Sequence, residues 1–85
     1  MYWLYILACG DGTLYTGVTT DVDRRLAAHQ AGKGAKYTKG RGPLRVVYRE
    51  PCGDKSQALR RERQVKALTR AQKLELIDQT TSGRV

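Results

Sequence analysis

Two β-forming runs flank a glycine turn at the start of this sequence, and nothing else in it constrains the fold as much. Tyr2-Trp3-Leu4-Tyr5-Ile6-Leu7-Ala8 is aromatic and branched, the composition of a strand. Cys9-Gly10-Asp11-Gly12 follows; it reads as a tight turn, because glycine tolerates positive φ. Thr13-Leu14-Tyr15-Thr16-Gly17-Val18-Thr19 is a second strand-like run. Together they predict an antiparallel hairpin.

Helix signals come next. The side-chain oxygens of Thr20 and Asp21 suit an N-cap, since they accept the first free backbone N–H groups. A helix is expected from Val22 to about Gln30, stopped by Gly32. Ala31 to Pro43 carries four glycines, a proline and the cations Lys33, Lys36, Lys39 and Arg41; it reads as a loop. Leu44 to Arg49 is a third strand, ended by Pro51 and Gly53. Asp54-Lys55-Ser56-Gln57 has the form of a capping box, predicting a helix from Ala58 to Leu68. Thr69-Arg70-Ala71-Gln72 repeats that logic and opens a short last helix to about Asp78. The order β-β-α-β-α-α predicts a small α/β fold of the α+β type: a three-stranded antiparallel sheet flanked by helices. One domain is expected over residues 1–78, with residues 79–85 a flexible tail.

Size and charge narrow the function. Eighty-five residues leave no room for a second core or a large cofactor-binding fold. No apolar run approaches the roughly 20 residues that cross a bilayer. The amino terminus shows no basic leader or cleavage pattern, so a cytoplasmic protein is expected. Cys9 and Cys52 are too few for a four-ligand zinc site, and His29 lies far from both in sequence. Two free thiols are therefore expected. The chain carries 16 Lys and Arg against eight Asp and Glu, a net charge of +8. Such an excess favours an anionic partner, most often nucleic acid; a basic protein of a larger assembly is the plainer reading.

Several residues invite a chemical role. Tyr5 and Tyr15 sit on the two hairpin strands, where packing is the ordinary use of a tyrosine. Gly17 weakens a strand and often marks close approach of another group. Arg25 and His29 are four apart and share a helix face, with Arg24 turned outward. A guanidinium holds two phosphate oxygens at once, and a histidine donates to phosphate or moves a proton. Glu62 is the one acid among seven cations from Lys55 to Lys73, and it lies on or beside an apolar stripe. Two readings stand for it: an ion pair with Arg61, Arg63 or Lys66, or a ligand to a divalent cation completed by waters and phosphate. The loop cations, with Tyr37 among them, suit a phosphate backbone and a stacked base.

Taken together, Leu4-Tyr5-Ile6-Leu7, Tyr15-Thr16-Gly17, and Asp21 through Arg25-Leu26 and His29 resemble the GIY-YIG nuclease superfamily. The small single-domain bacterial group labelled UPF0213 is the nearest in form. The resemblance covers about residues 2 to 78. The first motif reads Trp3-Leu4-Tyr5 in place of Gly-Ile-Tyr, and the late asparagine of many members is missing, since the chain contains no asparagine.

The resemblance implies a metal-dependent endonuclease acting on phosphodiester bonds in DNA. It implies Tyr15 as the group that activates water, Tyr5 as the group that orients it, and Arg25 and His29 at the scissile phosphate. It implies Glu62 as ligand to one Mg²⁺ or Mn²⁺, and Gly17 as the residue that keeps the strand open. Arg24, Lys33, Lys36, Tyr37, Lys39 and Arg41 would bind nucleic acid. DNA, plain, branched or damaged, is the expected partner, with RNA left open; no membrane, no small-molecule cofactor and a monomer are expected. The alternative is a non-catalytic or vestigial nucleic-acid-binding module.

Overall fold

The Cys9–Gly12 turn closes as its residue types require. Asp11 Oδ1 accepts from the backbone N–H of Thr13 at 3.1 Å and from its hydroxyl at 2.6 Å. The Cys9 N–H donates to the Thr13 carbonyl, and Gly12 takes φ +88°. The computed structural model, which describes residues 1–34 and 38–82, thereby sets β1 (Trp3–Ala8) antiparallel to β2 (Leu14–Thr19). The remaining elements are α1 (Val22–Gln30), β3 (Arg45–Pro51), α2 (Lys55–Lys66) and α3 (Arg70–Ser82). This is the expected order, and the sheet is antiparallel throughout, with strand order β2-β1-β3.

The three expected helix starts are present, each with its own chemistry. Asp21 caps α1 by accepting from the Arg24 N–H at 3.1 Å. Asp54 and Gln57 form a reciprocal capping box at α2. Thr69 and Gln72 exchange the same pair of bonds at α3. At the other end of α1, Gly32 adopts φ +76°, and the Lys33 N–H returns to the Ala28 carbonyl while the Gly32 N–H bonds that of His29. That is a Schellman closure, which needs a left-handed residue after the cap.

Some boundaries differ from expectation. α2 begins at Lys55, directly after its cap, and ends at Lys66, not at Leu68. β3 runs on through Pro51, which an edge strand tolerates because one side needs no ladder donor. α3 continues to Ser82, so residues 79–82, expected in a tail, extend the helix. Leu59 of α2 is 37% exposed; the buried face of the helix runs through Ala58 and Val65.

β1 is the middle strand and is covered on both faces, which explains its nearly unbroken apolar run. Leu4 and Ile6 pack with Tyr48 and Val65 under α2 and α3. Tyr5 and Leu7 pack with Val22 and Leu26 of α1. A bulge lets β3 serve both sides: Ile6 faces Tyr48 while Leu7 faces Val46, so Val47 is the extra residue. Val46 then joins the α1 side, and Val47 and Tyr48 the other. Each fully buried aliphatic side chain here contributes about 1.5–3 kcal/mol. Both cysteines are free thiols, Cys9 buried and Cys52 partly so.

Candidate active site

The ladder between β1 and β2 sets Tyr5 directly opposite Gly17. The tyrosine ring uses the space that the glycine leaves. A Cβ at position 17 would stand 2.6 Å from Tyr5 Oη and 2.8 Å from Cζ, closer than any real contact. Gly17 is therefore a condition for the position of the Tyr5 hydroxyl.

That hydroxyl meets His29. The imidazole lies in the last turn of α1, 2% exposed, with Nε2 at 2.9 Å from Tyr5 Oη. On its other side, Nδ1 lies 2.8 Å from Thr38 Oγ1, and Thr38 is itself 2% exposed. Gly34 closes over the ring, since a Cβ there would fall 2.2 Å from Nδ1. The half-buried Tyr15 completes the group. Its ring meets the imidazole edge-on at 5.3 Å between centroids and lies 6.3 Å from the Tyr5 ring.

Electrostatics follow from burial and one guanidinium. Burial pushes the Tyr5 phenol above its usual value of 10.0; the Arg25 guanidinium nearby opposes this, and the charges of Tyr15 and Glu62 add to the rise. At Tyr5 desolvation thus outweighs Arg25. Burial, and then Arg25, hold His29 below its ordinary 6.5, so its neutral form is favoured.

The expected residues separate into three groups. Tyr5, Tyr15, Arg25 and His29 converge. Glu62 is close enough for its charge to act on Tyr5, and it also makes the plain ion pair: its side chain, 19% exposed, lies 3.4 Å from Lys66 Nζ. Arg24, Lys33 and Lys39 are exposed. Arg24 and Arg25 line a hollow of about 300 Å³ with Thr19, Thr20, Asp21 and Ala28. Arg41 pairs with Asp11 at the hairpin turn, a structural bond in a residue expected to bind nucleic acid. Lys36 and Tyr37 lie outside the described residues. His29 has both ring nitrogens bonded inside the protein, Nε2 to Tyr5 and Nδ1 to Thr38.

Sequence reasoning passed over Thr38 and Gly34. It also missed the bond network behind α2, where Arg61 clasps the Glu50 carboxylate at 2.9 and 3.2 Å and Tyr48 donates to the same group. This network ties β3 to α2 one residue before Glu62.

The model of the GIY-YIG catalytic domain matches residues 1–75. The chain belongs to the GIY-YIG family. Within that family it is similar to the UPF0213 proteins. One from Staphylococcus haemolyticus is 51% identical over 92% of this chain and 95% of its own. One from Natronomonas pharaonis is 50% identical over 94% of each. The solution structure of the UPF0213 protein of Bacillus halodurans, 52% identical, superposes with a TM-score of 0.59 over 92% of this chain and 84% of that one. The solution structure of a protein of E. faecalis, 36% identical, gives 0.64 over 94% and 85%. Tyr5 and Tyr15, whose segments resemble the two motifs that name the family, lie within the matched residues, and Gly17 is pressed against Tyr5. No helix among the described residues of this GIY-YIG chain is long and apolar enough to cross a membrane.

Proposed function

We propose that this GIY-YIG chain is a metal-dependent endonuclease that hydrolyses phosphodiester bonds in DNA, working in the cytoplasm. One observation carries the reading: Tyr5, Tyr15 and His29 meet in one cluster, with Tyr5 Oη 2.9 Å from His29 Nε2 and the Tyr15 ring 5.3 Å from the imidazole, and Arg25 and Glu62 near enough for their charges to act on Tyr5. A guanidinium, a second phenol and a carboxylate around one phenol are the groups that phosphate neutralisation, water activation and cation binding call for.

The residues divide the work by exposure. Arg25, partly exposed beside the hollow, takes the non-bridging oxygens of the scissile phosphate. Tyr15, half-buried, faces the attacking water and removes its proton. Tyr5 is 1% exposed and orients that water and Tyr15. His29 acts through Tyr5. Among the described residues no three His, Cys, Asp or Glu gather into a cation cage. A single carboxylate such as Glu62 fits a Mg²⁺ or Mn²⁺ that keeps its waters and takes its other ligands from the substrate. When bound there, the ion supplies charge stabilisation at the leaving oxygen. Arg24, Lys33 and Lys39 add positive charge for the backbone.

A second reading, a nucleic-acid-binding module without catalysis, is favoured by the Glu62–Lys66 pair, which already gives the carboxylate a partner. Nicking of labelled duplex, branched and single-stranded DNA with Mg²⁺ or Mn²⁺ separates the two, with Glu62→Ala compared at matched folding. The nuclease reading expects the wild type to cut and the variant to bind without cutting. Binding without cutting by both supports the module. Equal cutting by both removes Glu62 from the site.

A further inference from the structure

The hydrogen bonds around His29 fix which nitrogen carries its proton. Tyr5 Oη has one hydrogen-bond partner among the described residues, His29 Nε2 at 2.9 Å, and the Arg25 guanidinium acts on it as a nearby charge. Arginine only donates. The Tyr5 O–H therefore has one acceptor, His29 Nε2, and a buried hydroxyl proton without an acceptor is costly. Nε2 must then be bare, and in the neutral ring the proton sits on Nδ1 and points at Thr38 Oγ1. The opposite tautomer would aim Nε2–H at the Tyr5 oxygen and strand the phenol proton.

We infer that Thr38 is a positioning residue: by accepting from Nδ1–H it locks His29 in the tautomer whose Nε2 accepts from Tyr5. The consequence reaches the water side of the site. With its proton turned to His29, Tyr5 Oη keeps lone-pair capacity for a donor arriving beside Tyr15. Tyr5 thus enters the site as an acceptor, which is what orienting an attacking water requires. Gly34 supports the same lock by letting the loop close on the ring. This inference rests on the nuclease reading only for its effect on rate; the tautomer itself does not.

The chain has one histidine, so the imidazole ¹⁵N resonances of labelled protein report His29 alone. The wild type and Thr38→Ser are expected to show Nδ1 protonated and Nε2 bare, and Thr38→Val to shift toward the Nε2–H form. In DNA nicking, Thr38→Val is expected to lower kcat by about 10–100-fold while KM stays within about twofold, with Thr38→Ser restoring the rate. A wild-type ring protonated on Nε2 overturns the assignment, and so does a Thr38→Val ring unchanged from wild type. If the tautomers behave as expected while the wild type cuts no DNA, the lock stands and the nuclease reading falls.

Discussion

Tyr5 and Gly17 share one volume: the phenol of the first occupies the place where a side chain of the second would begin. Gly17→Ala therefore has to move the ring or the strand. We expect about 1–3 kcal/mol of destabilisation from overpacking, read as a lower urea midpoint. We also expect loss of the Tyr5–His29 bond, read from the His29 ¹⁵N shifts. An alanine variant as stable as wild type with those shifts unchanged would contradict the contact.

The Glu50–Arg61 clasp sets an acid limit on stability. Burial alone pushes the Glu50 carboxyl up, but the bonds from Arg61 and Tyr48 outweigh it and hold the group below its ordinary 4.5. A depressed carboxylate contributes stability above the unfolded value, and that stability is lost as pH falls through the folded one. Glu50→Gln should lose about 1.5–3 kcal/mol at neutral pH, the range for charged hydrogen bonds, and its melting temperature should fall less steeply than wild type in acid. Parallel acid slopes for the two proteins would rule this out.

His29 adds a milder effect at higher pH. Burial and Arg25 depress its folded value below 6.5. The unfolded chain takes up a proton first as pH falls, so stability declines from about pH 6.5 downward. The imidazole ¹H shifts should titrate with a midpoint below 6.5, and unfolding midpoints at pH 7.5 should exceed those at pH 5.5.

Thr16 is 3% exposed, and its hydroxyl has no hydrogen-bond partner among the described residues. Thr16→Val keeps the shape and removes the stranded polar atom. It should stabilise the fold by about 1 kcal/mol, measured by urea denaturation with an unchanged slope.

Lys66 competes with any cation for Glu62. Exposed pairs of this kind contribute about 0.3–1 kcal/mol. Under the single-cation reading, Lys66→Met should lower the Mg²⁺ concentration for half-maximal nicking by about two- to fivefold. A higher requirement in the variant would argue that Lys66 assists the site.

Much of this architecture was legible because its signals are local. Asp21, Asp54 and Thr69 announce their helices through side-chain chemistry within three residues. Gly17 was legible as an anomaly, a glycine where a strand wants a branched side chain. What stayed hidden is tertiary. Thr38 lies in a glycine-rich loop without periodicity, nine residues from the ring it bonds. The one-residue bulge at Val47 shifts the facing of β3 with no mark in the sequence.

β1 has one further consequence, which concerns motion. Its side chains feed both cores, so it should be among the last segments to open, with the amides of Leu4 to Leu7 exchanging their hydrogens through near-global unfolding. The site phenol therefore rides on the stiffest part of the molecule. In the nuclease we propose, adjustment to differently shaped strands of DNA falls to the exposed Arg24, Lys33 and Lys39, leaving the Tyr5 end as an anvil against which the substrate is aligned.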